Sequence, residues 1–144
     1  MNQQPDDIHI EHLLEHHGLR KTAFRKEILG IFQKRKGQAL SNTEIEEGLE
    51  EWDRITLYRT LKSFEDKGLI HQTPDINGSV KYALCGHNCN AHQHDDGHAH
   101  FQCTKCHVTW CLDDAITSLK YNLPSAFKVK EVKVMLNGVC ASCT

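Results

Sequence analysis

The chain has 144 residues and a formal net charge of −2, and no apolar run approaches the roughly 20 residues that span a bilayer, so neither a membrane-spanning helix nor a membrane partner is expected. The start, MNQQPDDIHIEH, lacks the basic stretch and apolar segment of a secretory signal. All seven cysteines follow position 84, and thiolate pairs that bind metal require a reducing compartment, which points to a cytoplasm. The small negative total hides an uneven distribution. Between Arg20 and Lys36 lie Arg20, Lys21, Arg25, Lys26, Lys34, Arg35 and Lys36 against the single acid Glu27, and then Glu44, Glu46, Glu47, Glu50 and Glu51 reverse the sign. Such a patch can bind phosphates despite the slightly acidic total; a solvated helix face has the same composition.

In chain order, Asp6 or Asp7 is placed to cap a short amphipathic helix over 8–16, with Ile10, Leu13 and Leu14 on one face and Gly18 as its stop. Thr22 caps a second helix over 23–34, with Phe24, Ile28, Ile31 and Phe32 at helical spacing. Ser41 followed by Glu44 is a capping box for a third helix that turns Ile45 and Leu49 inward. Asp53 caps a fourth over 54–67, and Gly68 suits its C-terminal stop. On this helix Leu57, Leu61 and Phe64 form the inward stripe, leaving Thr56, Arg59, Thr60 and Ser63 away from it. Two β-prone runs, 69–73 and 80–84, flank Pro74-Asp75-Ile76-Asn77-Gly78, a hairpin signal. Helices followed by a two-stranded hairpin describe a winged helix-turn-helix, whose helix before the wing enters the major groove; a small helical protein-interaction domain has the same periodicity.

The second half is different in kind. Residues 85–100, CGHNCNAHQHDDGHAH, are dense in Cys, His and Asp, as in a specific metal site or a non-specific metal-binding loop. His98 and His100, spaced i, i+2 on an extended strand, put both imidazoles on one side. Cys103/Cys106 and Cys140/Cys143 are two Cys-x-x-Cys pairs. A two-residue gap lets one tight turn aim both sulfurs at one ion, and two such turns make a closed tetrahedral thiolate site suited to a structural Zn²⁺, with no open position for chemistry. The competing reading is a pair of redox dithiols, but neither pair opens a helix in a βαβ pattern. Between the knuckles, 108–112 reads as a strand, Asp113 or Asp114 caps a helix to Leu119 that Pro124 ends, and 127–136 alternates Val132, Val134 and Leu136 as a half-buried strand able to pair across a two-fold axis. Each half holds a marginal number of residues for an independent core, so a metal staple in the second is physically reasonable.

GLRKTAFRKEIL (18–29), RITLYRTLKSFEDKGLI (54–70) and HAHFQCTKC (98–106) together resemble the ferric uptake regulator family of metal-sensing repressors, over nearly the whole chain and in the right order. The resemblance implies an α+β chain: a winged helix-turn-helix DNA-binding domain over 1–84 and a small α/β dimerisation domain with a Cys₄ zinc site over 85–144. It implies a homodimer that binds operator DNA when a divalent metal is bound, with no small-molecule substrate. By position Tyr58 and Arg59 match its recognition-helix DNA contacts and Arg20 its basic residue near the minor groove; Thr56, on the outward face of the same helix, is a further expected DNA contact, and Lys21 and Arg25 are expected to contact phosphates.

Departures from the iron-type pattern bear on the metal. Ala39, Ala83 and Cys111 stand where iron sensors carry His, Glu and Glu, and Ala99 and Val132 where a second regulatory site would have donors. Oxygen ligands are lost and sulfur ligands available, which favours Zn²⁺ over Fe²⁺ or Mn²⁺. His71 and Cys85, in GLIH and YALC, match the zinc-uptake subgroup, as does the ending GVCASC. The expected regulatory set is therefore Cys85 with His98 and His100, completed by His71 or Cys111, with Cys89, His92 and His94 as competing donors. The leading expectation is a zinc-dependent repressor of metal-uptake genes; the alternatives are an iron or peroxide sensor with thiols as oxidation targets, and a metal-storage or delivery protein. No Glu beside the His/Cys cluster offers a catalytic base, so an enzyme is not expected.

Overall fold

The computed structural model describes residues 5–35, 37–73, 78–85, 99–112, 120–130 and 132–144, with side chains from His9 onward. The expected third, helical element of the second half (113–119), the wing turn 74–77, and the donors Cys89, His92, His94 and His98 lie outside them.

The N-terminal helix α1 runs Pro5–His16, earlier than expected. Asp6 and Asp7 therefore sit inside its first turn rather than before it, and Pro5, whose fixed φ suits a first helical position, opens it. Thr22 caps α2 (Ala23–Lys34), its side chain accepting from the backbone N–H of Arg25. The capping box of Ser41 and Glu44 starts α3 (Asn42–Glu47), and Asp53 caps α4 (Arg54–Asp66). Gly68, with φ of 76°, makes the left-handed turn after α4 that a side chain would strain. On α4, Leu57, Leu61 and Phe64 are buried as the periodicity requires, but so is Thr60. Its place on the helix lies between Leu57 and Phe64, and its hydroxyl is satisfied by donating to the Thr56 carbonyl at 2.8 Å.

Fourteen apolar residues from Ile10 to Ile70, contributed by α1–α4 and the segments between them, form the core. The second half contributes none among the described residues. Burying Leu, Ile and Phe stabilises by roughly 1.5–3 kcal/mol per side chain, so the first half holds itself together and the second requires another source of order.

Four residues between α2 and α3 decide the architecture. Gln38–Ser41 form strand β1. The wing strands are β2 (Ile70–Thr73) and β3 (Lys81–Leu84), followed by β4 (Ala99–Cys103), β5 (Thr109–Leu112) and β6 (Met135–Gly138). One six-stranded sheet has the order β2-β3-β1-β5-β4-β6. It crosses the expected boundary between residues 84 and 85. β1 divides its four residues, Gln38 and Ala39 pairing with β5 while Leu40 and Ser41 pair with β3. Of the strand expected over 127–136 only Met135 and Leu136 fall in β6, which pairs with β4 among the described residues; residues 127–130 and 132–134 are not in strands.

Candidate metal centres and nucleic-acid interface

Register alone explains the first donor cluster. The parallel β4–β6 pairing puts Cys103 opposite Gly138, and the Thr104 N–H donates to the Gly138 carbonyl at 2.8 Å. The chain two residues past Gly138 is thereby delivered to the 103–106 turn. There the four sulfurs of Cys103, Cys106, Cys140 and Cys143 lie within 4.8 Å of one another. Cys106 and Cys140 sulfurs are 3.8 Å apart; a tetrahedral ion with Zn–S bonds of about 2.3 Å requires about 3.8 Å between sulfurs. His107, in a left-handed conformation with φ of 62°, closes the turn by donating its N–H to the Cys103 carbonyl at 2.9 Å. The buried Cys103 sulfur accepts from the N–H groups of Cys106 and Cys140 at 3.5 and 3.4 Å. These two donors, Cys106 first, pull its pKa down to about 6, whereas the hydrogen bond of Cys143 to Cys140, then burial and the other sulfurs, push Cys143 up to about 12. One sulfur is thus prepared as a thiolate, and crowding opposes further anions until a cation compensates them. The donors fit a closed thiolate metal site.

The second cluster is built by the curl of the sheet. His71 is opposite Ala83 on β2–β3, and Cys111 opposite His100 on β5–β4. Because directly paired residues share a face, the registers put His71, Ala83, Cys111 and His100 on the side of the sheet away from the helical core. That face closes on itself. His71 Nε2 lies 3.0 Å from His100 Nε2, and Cys111 Sγ 3.8 Å from His71 Nε2. The three donor atoms fall within 4.8 Å of one another. Two imidazoles and a thiolate at these separations suit Zn²⁺ at about 2.0–2.3 Å from each ligand. Cys85 approaches from the other side of the ring, its Sγ 3.3 Å from His71 Nδ1. The structure therefore brings together His71, His100, Cys111 and Cys85 from the expected set, with Cys85 meeting His71 at Nδ1. Small residues make this possible: Ala39 and Ala83, on the same face as His71, are both buried, whereas Ala99, next to His100 and opposite Leu112, is buried on the other face.

On α4 the face opposite the core carries Ile55, Thr56, Tyr58, Arg59 and Lys62, all exposed. Tyr58 and Ile55 are 66% and 63% exposed, far more than burial of apolar surface would favour unless something else covers them. Ile55 was not singled out from sequence; its signal is an apolar residue on the face away from Leu57 and Leu61. Asp53 accepts the Thr56 N–H at 2.8 Å, and its hydrogen bonds from Thr56 hold its carboxyl below the usual carboxylate range. Of the basic patch, Arg20 and Lys21 are exposed and Arg25 half-buried. Lys21 is paired with Glu15, and Arg25 donates to the Arg20 carbonyl at 3.0 Å. A phosphate has to displace the first of these pairs to reach Lys21.

Residues 16–137 match the model of the ferric uptake regulator family. A ferric uptake regulation protein of Staphylococcus aureus is 31% identical over 136 residues, covering 91% of this chain and 93% of the relative. Among solved structures, the ferric uptake regulator of Vibrio cholerae superposes with a TM-score of 0.60 at 21% identity, covering 90% of this chain and 98% of that one. A zinc uptake regulator complexed with zinc and DNA does so with 0.62 at 17%, covering 98% and 96%. Winged helix, mixed sheet and four-cysteine site are those of metal-responsive, DNA-binding transcriptional regulators, which are not enzymes. The chain belongs to the ferric uptake regulator family.

Proposed function

We propose that this protein is a zinc-responsive repressor of metal-uptake genes, binding operator DNA as a homodimer when Zn²⁺ joins its two halves. The observation that carries the reading is the convergence of His71 from the wing with His100 and Cys111 from the second half. Carboxylates are absent from that set, and a thiolate with two imidazoles favours Zn²⁺ over Fe²⁺ or Mn²⁺. Ligands from both sides meet only when wing and second half are closed together, so the ion stabilises the closed state by its differential affinity for it. Cys85 fixes the His71 ring through Nδ1, as outer partners of metal-bound histidines do. A second zinc in the Cys103–Cys106–Cys140–Cys143 site is structural. Residues 1–84 act on DNA and 85–144 on metal and partner. The dimer reading is supported by exposed Tyr121, Leu123, Phe127, Val129, Leu136 and Val139, an apolar surface that a second copy would cover. Thiolate ligands support a reducing cytoplasm as its location.

The test is DNA binding to promoter fragments of neighbouring metal-transport genes, with Zn²⁺, Fe²⁺ and Mn²⁺ titrated separately into protein holding one zinc per chain. Activation by Zn²⁺ at the lowest free concentration is expected. Activation by Fe²⁺ alone would transfer the protein to iron sensing, the role named in its curated relatives.

Arg59, with Thr56 and Tyr58, is proposed to read the major groove. Arg59→Ala is expected to weaken specific binding by about 1–3 kcal/mol with metal content unchanged, measured by footprinting at fixed free zinc. Lys21 and Arg25 are proposed as phosphate contacts and Arg20 as a contact near the minor groove. Lys21→Ala is expected to lower the slope of log K against log salt by about 1, without changing the ratio of specific to non-specific affinity.

A further inference from the structure

Lys81 is a buried lysine on wing strand β3, yet its ammonium donates at 2.9 Å to the carbonyl of His107, in the turn that carries Cys103 and Cys106. The registers locate it further. Lys81 is opposite Thr73 on β2 and Ser41 on β1, and Ala39, two residues before Ser41, is opposite Thr109, which is opposite Gln102. These residues lie on the same face as His71, Cys111 and His100, in two adjacent cross-strand rows. Of them Thr73, Lys81, Thr109 and Gln102 are buried, and the Thr73 and Thr109 hydroxyls have no hydrogen-bond partner among the described residues. Burying an ammonium in so sparsely satisfied a setting is costly unless its bond is retained. That bond ties wing strand β3 to the second half. The acceptor itself is aimed by His107, whose left-handed backbone closes the cysteine turn.

We propose that Lys81 is a positioning residue through which the four-cysteine turn pre-sets the closed orientation, so that the His71–His100–Cys111 site is assembled before its metal arrives. The inference rests on reading that cluster as the regulatory site. When the halves part, Lys81 exchanges the His107 carbonyl for water; closure restores the bond and brings His71 to His100. Part of the free energy of closing is therefore supplied by the wing lysine, and the apparent affinity for the regulatory ion rises with the fraction of closed protein.

Lys81→Met retains the aliphatic stem and removes the donors; Lys81→Arg retains them. In the full-length protein, Zn²⁺ affinity is measured by competition with a chromophoric chelator, and amide exchange is followed over 38–41 and 109–112, the strands that join the halves. Lys81→Met is expected to keep its four-cysteine zinc, to bind the second Zn²⁺ roughly ten-fold more weakly, and to exchange faster over both segments; Lys81→Arg is expected to recover most of both. Wild-type exchange in Lys81→Met overturns the proposal, as does loss of the four-cysteine zinc with the second, which would make Lys81 a folding residue only. Should Lys81→Met fail to fold, Lys81→Gln, with donors but without the reach, is judged by the same two readouts. A wild-type protein that binds no second Zn²⁺ refutes the regulatory-site reading, while the exchange comparison still decides whether Lys81 holds the halves together.

Discussion

Cys103→Ser or Cys140→Ser is expected to leave the second half unfolded and the protein monomeric while the helical first half stays folded. The magnitudes point that way. Metal binding in cysteine-rich zinc peptides is worth about 10–16 kcal/mol at neutral pH, as much as the whole stability of an ordinary domain, about 5–15 kcal/mol. Among the described residues the second half buries only Ala99 and Cys103 as apolar side chains and adds none to the helical core cluster, so nothing of similar size replaces the metal. Sedimentation with circular dichroism checks this: loss of the dimer and of strand signal with helix content preserved is the expected result, and a native dimer with no zinc at the mutated site would refute it. The pH dependence has a definite sign. Cys103 has its pKa depressed to about 6 in the fold, so its contribution is present above the ordinary thiol range and is lost as pH falls through about 6. Cys143, raised to about 12, acts oppositely without metal, its contribution present at lower pH and lost as pH rises through about 12. Bound zinc reverses that by demanding its thiolate. Acid should therefore release zinc and unfold the second half together, followed by a zinc-sensitive dye across pH 7 to 4.

The second large effect is expected at the regulatory cluster, where Cys111→Ser and Cys85→Ser should separate. Cys111 offers its sulfur to the same point as two Nε2 atoms; removing it takes away a ligand, and second-ion affinity should fall by more than about 100-fold. Cys85 touches His71 at Nδ1, and losing such an orienting partner typically costs about 10–100-fold. Both variants should remain folded dimers with their four-cysteine zinc, and Cys85→Ser alone should regain DNA binding at raised Zn²⁺. The readout is cobalt substitution, whose thiolate-to-metal charge-transfer band at the second site should vanish in Cys111→Ser and persist in Cys85→Ser. The reverse pattern would make Cys85 the ligand and Cys111 a buried, small apolar residue.

Local chemistry explains which parts of this protein were legible without coordinates. Thr22, Ser41 and Asp53 cap their helices because a side-chain oxygen reaches an N–H three residues on, an interaction contained within one turn of chain. The two Cys-x-x-Cys pairs announce a thiolate site for a similar reason, since each pair is a self-contained turn. Thr60 was misplaced because helical spacing locates the centre of a buried stripe better than its margin. Strand β1 escaped notice because four residues, QALS, carry no period and owe their conformation to partners about 40 and 70 residues away.

Helix periodicity, caps and ligand spacing act over a few residues, which makes the helical lobe with its hairpin and the two groups of metal donors legible in the chain alone. The packed fold is what brings His71 to His100 and Cys111, Cys85 to Nδ1 of the His71 ring, and Lys81 to the cysteine turn. Those contacts depend on strand register and on the curl of a sheet whose bridging strand splits its pairing between two neighbours, and both are set by packing across the whole chain.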